Sequence, residues 1–81
     1  MVEIIGSKYC LACRKVCDTL DRREIKYTFY DAFKPSLRYI ELQRIAEDEG
    51  YIAHPIAFYD GECLGEGVSV LARIDKILYG E

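Results

Sequence analysis

The sequence holds no tryptophan, one methionine, one histidine and two prolines among its 81 residues. No apolar run approaches the roughly 18 residues that a membrane-spanning helix needs. Charge of one sign is not concentrated either: 11 Lys and Arg stand against 14 Asp and Glu, interspersed, for a net charge of -3. A basic face for phosphate backbones is therefore missing, so neither nucleic acid nor a membrane is an expected partner. The opening Met1-Val2-Glu3-Ile4-Ile5-Gly6 lacks the basic segment, apolar stretch and cleavage site of a secretory signal. A cytoplasmic protein is expected, in a compartment that keeps thiols reduced. No linker, repeat or low-complexity stretch divides the chain, so residues 1–81 are expected to form a single domain, and a monomer. What the chain does have is a normal apolar supply (51%), seven tyrosines and four cysteines.

The order of elements reads as βαβαββα. Val2 to Ile5 is a short β-branched run ended by Gly6-Ser7, a buried first strand. Cys10 to about Arg22 follows without Gly or Pro, and Cys13, Val16, Cys17 and Leu20 fall on one helical stripe. Ile25 to Tyr30 alternates aromatic and β-branched residues, a second strand. Pro35 is placed to open a second helix at its first turn, and Gly50 to end it after about Glu49. Its apolar stripe is Tyr39, Leu42, Ile45 and Ala46. Ile56 to Tyr59 and Cys63 to Leu64 flank Asp60-Gly61, a hairpin signal because the turn needs positive φ. Gly65-Glu66-Gly67 then breaks the strand, and Val68 to Leu78 forms a last helix buried through Val70, Leu71, Ile74, Ile77 and Leu78. A strand-helix-strand start favours a right-handed crossover and a parallel pair, to which the hairpin adds two strands. A four-stranded mixed sheet flanked by three helices follows.

Cys10-Leu11-Ala12-Cys13 lies where the first strand gives way to the first helix. A thiol there faces unpaired backbone N–H groups and the positive end of the helix dipole, which favour thiolate over thiol. The spacing sets the second sulfur one turn along. Cys10 is therefore the expected nucleophile, forming a mixed disulfide, and Cys13 the resolving thiol that releases product. Two alternatives stand beside this. The pair is two core cysteines at chance spacing, or Cys10, Cys13 and Cys17, with His54 or Cys63, bind zinc or an iron–sulfur cluster. The first competes poorly with the position, and the second lacks the second short ligand pair usual in structural zinc sites. Cys17, on the buried stripe, reads as a small core residue. Cys63 reads as a half-buried strand residue or a third redox thiol. His54 has three readings: an imidazolium that eases Cys10 to thiolate, a base for Cys13, or a surface side chain. Lys8 adds a positive charge near the thiolate or is simply solvated. The tyrosines, spread through the elements, read as core-edge fillers.

The whole chain resembles the glutaredoxins, including the glutaredoxin-like redoxins that serve ribonucleotide reductase. The resemblance rests on Val2-Glu3-Ile4, on Tyr9-Cys10-x-x-Cys13, on Pro55 before a strand and on the Asp60-Gly61 hairpin, in that order. It implies a thioredoxin-like fold with strand order 2-1-3-4 and a cis His54-Pro55 bond facing the cysteine pair. It implies a dithiol oxidoreductase with no cofactor, reducing protein or glutathione mixed disulfides. Glutathione or a thioredoxin-reductase-type flavoprotein would recharge it, and a disulfide-bearing protein, ribonucleotide reductase among the candidates, would be its substrate. It places substrate contacts on Lys8, Tyr9, Leu11, Ala12, His54, Pro55, Gly65, Glu66 and Gly67. The departures matter too. Leu11 and Ala12 replace the usual Pro and aromatic between the cysteines, and Ser7 stands where a lysine is usual. Gly65-Glu66-Gly67-Val68-Ser69 replaces the Gly-Gly and Asp that hold glutathione, with Glu66 set to repel its carboxylate.

Overall fold

Apolar runs too short for helices and flanked by glycine become strands, and here they gather into one sheet with helices on both faces. The computed structural model describes residues 1–80. The elements are β1 (Val2–Gly6), α1 (Leu11–Arg22), β2 (Tyr27–Asp31), α2 (Leu37–Asp48), β3 (Ile56–Tyr59), β4 (Glu62–Glu66) and α3 (Val70–Tyr79). The sheet order is β2-β1-β3-β4. β1 pairs parallel with β2 and antiparallel with β3, and β4 is antiparallel to β3. This is the strand order the resemblance implies; of the last two strands only β3 runs antiparallel to the first pair, because β4, folded back on β3, points the same way as β1 and β2. Among the described residues, no helix is long and apolar enough to cross a membrane.

β1 lies at the centre and is buried along its whole length. Alternate side chains therefore serve two cores. Val2 and Ile4 pack with Val16 and Leu20 of α1 and with Val70 and Ile74 of α3. Ile5 packs on the other face with Tyr39, Leu42 and Ala46 of α2 and with Ile56 and Phe58 of β3. Glu3 shares that second face and is only 5% exposed. It is not left unpaired: Arg38 Nε donates to its Oε2 at 2.9 Å and Arg38 Nη2 to its Oε1 at 2.8 Å. Tyr30 donates a third hydrogen bond at 3.0 Å. This fork ties α2 to the central strand, and it holds the Glu3 carboxyl below its usual range, chiefly through the Arg38 hydrogen bonds.

Several boundaries differ from the sequence reading, each for a local reason. Pro35 lies outside α2, because the Ser36 hydroxyl accepts the Tyr39 N–H at 3.1 Å and so caps the helix one residue later. β2 begins at Tyr27 rather than Ile25; the Ile25 N–H instead closes the end of α1 on Leu20 O at 2.9 Å. β4 does not stop at Gly65. It continues to Glu66 across a bulge, where Ala57 pairs with Gly65 and Phe58 with Cys63, and Gly65 takes φ 120°. α3 begins at Val70, and Ile77 and Leu78 in its last turn are exposed, Leu78 beside a groove lined by Met1 and Tyr59. The hairpin turns on Asp60 and Gly61, both at positive φ, 50° and 84°.

Candidate functional site

The register brings four segments together. Gly6 lies opposite Asp31, Ile5 opposite Ile56, and Ile56 opposite Glu66. The residues leaving β1, β2 and β4, and those entering β3, thus meet at one end of the sheet. Cys10 and Pro55 belong to these segments.

Cys10 is the N-cap of α1. The turn before it is closed by Cys10 N–H to Ser7 O at 3.1 Å. Helices usually begin on Ser, Thr, Asp or Asn, whose oxygen accepts an otherwise unpaired N–H. Here the sulfur does so: Cys10 Sγ accepts the Cys13 N–H at 3.3 Å. The thiol pKa is lowered from 9.0, first by the side chain of Cys13 and then by the Cys13 N–H; burial opposes the shift, and the Ala12 N–H adds the least. Cys13 is 1% exposed and differs accordingly. Burial pushes its thiol up to about 12, with Cys10 adding to the rise. One sulfur is thus half-exposed and eased toward the anion, and the other is buried and held protonated. Close packing enforces this, since a Cβ built on Gly6 would lie 2.5 Å from Cys13 Sγ.

The other singled-out residues divide. Lys8 is exposed, with Nζ 5.4 Å from the Tyr9 ring centroid. Tyr9 and Leu11 stand out at the surface, and Ala12 is half-buried in the first turn of α1. The His54-Pro55 bond is cis, with Pro55 buried and its carbonyl accepting the Gly67 N–H at 2.8 Å. His54 meets Tyr39, whose hydroxyl lies 3.2 Å from Nε2, and burial lowers its pKa from 6.5. Gly65 faces the Arg73 guanidinium, and Glu66 turns its carboxylate to the backbone of residues 52 and 53.

Cys17 is half-buried rather than core. α1 seats Val16, Thr19 and Leu20 against the sheet, which rotates Cys17 toward the edge strand β2. There it borders a groove of about 260 Å³ with Cys13, Tyr27 and Phe29. Burial raises its pKa. Cys63 is also half-buried and packs beside the α2 core. Among the described residues, no three His, Cys, Asp or Glu side chains converge closely enough to hold a metal ion. The ligand set of Cys10, Cys13, Cys17 and His54 or Cys63 is therefore not assembled within the chain. Two features were missed in the sequence: the Gly6 approach to Cys13, and exposed Phe33 and Ile52 at the same sheet end. A glycine closing a strand just before a cysteine motif was the one available signal.

No protein-family model matches the sequence, and no curated protein matches it. Among solved structures, the chain is similar to a buckwheat glutaredoxin, determined as its complex with glutathione. The two share 19% identity and superpose with a TM-score of 0.71, covering 98% of this chain and 69% of that one. Sheet order, mixed strand directions and three helices agree with that likeness. The chain has the thioredoxin-like fold in its glutaredoxin form.

Proposed function

We propose that the protein is a thiol–disulfide oxidoreductase in which Cys10 attacks and Cys13 resolves. One observation carries this reading: Cys10 Sγ occupies the N-cap of α1, on the Cys13 N–H, with Cys13 buried behind it. Thiolate is the nucleophilic form, and a helix N-terminus stabilises it.

The Cys10 thiolate bonds to one sulfur of a substrate disulfide. That S–S bond breaks, and the departing thiolate takes a proton from water. Cys10 is then neutral and no longer raises the pKa of Cys13. Cys13 gives up its proton and attacks the Cys10 sulfur, releasing the second substrate thiolate. Two electrons have passed to the substrate, and the protein carries a Cys10–Cys13 disulfide. Two external thiols, or a flavoprotein reductase, restore the dithiol. The buckwheat protein was determined with glutathione, the small thiol whose fit to this site depends on Glu66. Pro55, cis and buried at the same end of the sheet as Cys10, and the neighbouring His54 would belong to the surface that a substrate meets.

The test uses reduced protein and a small neutral disulfide, bis(2-hydroxyethyl) disulfide, with the products read by mass. The parent should lose both thiols and gain no adduct. Cys13→Ser should stop at a single mixed disulfide on Cys10, and Cys10→Ser should not react at this site. A Cys10→Ser protein that reduces the disulfide as the parent does refutes the reading.

A further inference from the structure

Glu66 closes β4 and reaches across to the segment that precedes Pro55. Its Oε1 accepts two hydrogen bonds, from the Ile52 N–H at 3.1 Å and from the Ala53 N–H at 3.0 Å. Successive backbone N–H groups converging on one point make a concave site for anions. Here the protein fills that site with its own carboxylate. The pair of N–H groups stands at the Cys10 end of the sheet, two residues before cis Pro55 and next to the strand that carries the cysteine loop.

The rim of this end is apolar. Among the described residues, eleven large apolar side chains are exposed. Six of these eleven (Tyr9, Leu11, Phe33, Leu37, Ile52 and Val68) belong to segments that leave or enter the sheet at this end. Tyr9 and Phe33 stack edge to face, with centroids 5.5 Å apart, across two of those segments. An incoming disulfide thus meets apolar side chains, and the converging N–H groups that would welcome a carboxylate are already occupied.

We propose that Glu66 is a specificity-determining residue: it turns the Cys10 site away from small thiols that carry carboxylates, glutathione among them, and leaves the apolar rim to select its substrate. Two effects act together. The carboxylate repels a second anion, and it occupies the N–H groups that would bind one. The favoured substrate is a disulfide in a protein segment with apolar neighbours, since such a segment carries no charge for Glu66 to oppose and covers the exposed rim. This inference rests on the reading of Cys10 as the attacking thiol.

Two substitutions separate the two effects. Glu66→Gln removes the charge while its side-chain carbonyl still accepts the Ile52 and Ala53 N–H groups, and Glu66→Ala also frees those groups. Each protein is assayed, in reduced form, against glutathione disulfide and against neutral bis(2-hydroxyethyl) disulfide. The readout is the ratio of the second-order rate constant for single-turnover reduction of the anionic disulfide to that for the neutral one. Removing a charge at this end of the sheet should raise that ratio about five- to tenfold in Glu66→Gln at low salt, less so at high salt. Glu66→Ala should raise it at least as far. A ratio that stays at the parent value in both variants overturns the inference while leaving Cys10 as nucleophile. A parent inert toward the neutral disulfide overturns the Cys10 reading, and this inference with it.

Discussion

Replacing Gly6 by alanine places a methyl group where the resolving sulfur already sits. The added Cβ would lie 2.5 Å from Cys13 Sγ, 3.4 Å from Phe29 Cε1 and 3.5 Å from Cys13 Cβ. Carbon atoms at their optimal separation are about 3.5–4.0 Å apart, and sulfur is larger, so Cys13 Sγ must retreat by about 1 Å or more. The residue is 1% exposed and packed against its neighbours, so that retreat must displace them or push the sulfur toward the groove it borders. Inserting a methyl group into such packing costs about 1–3 kcal/mol. In a domain of this size, each kcal/mol lowers Tm by about 4–8 °C. The chemical effect should be larger than the thermal one. Misplacing a reacting group by about 1 Å costs about 100-fold in rate. The first step should survive, because Cys10 keeps its place on the N-terminus of α1; the closure of the Cys10–Cys13 disulfide should slow about 100-fold. Rapid acid quench followed by mass analysis separates the two steps, because the mixed disulfide accumulates when closure is slow. A Gly6→Ala protein that melts with the parent and closes its disulfide at the parent rate refutes the reasoning.

The Arg38 fork onto Glu3 yields two further predictions. Arg38→Ala should destabilise the fold by about 1–3 kcal/mol, below the cost of breaking a fully buried pair, because the Arg38 side chain is 39% exposed; urea unfolding measures it. The folded Glu3 carboxyl titrates below its ordinary value of 4.5, so the unfolded chain binds more protons between the two values. Its contribution is fully present above about 4.5 and is lost as acid takes the pH down through the folded value. Unfolding midpoints across acid pH should show this loss in the parent and a shallower one in Arg38→Ala.

Much of the fold was legible because its signals are local. The run Val2 to Ile5, the Asp60-Gly61 turn and Gly50 after α2 each carry their own reason for the structure they adopt. The cysteine motif was legible for the same reason, since strand, turn and helix follow one another within a few residues. What escaped depended on partners distant in the chain. Periodicity put Cys17 on the apolar stripe of α1 but could not tell that β2, an edge strand, would leave that side half-covered. Gly65 looked like a strand breaker, yet the β3 ladder carries it as a bulge at φ 120°. His54 has its polar contact with Tyr39 on another element, and Glu66 finds Ile52 and Ala53 across a hairpin. Its acidic side chain was visible in the sequence; the N–H groups it would fill were not.

The difference in acidity between two thiols one helical turn apart is what the whole account requires. Alkylation of the reduced protein across pH, with each cysteine followed separately by mass, measures it directly. Cys10 should reach half its maximal rate below the ordinary thiol value of 9.0, while Cys13 stays unreactive until the pH approaches about 12. Two thiols that titrate together near 9.0 would contradict the account.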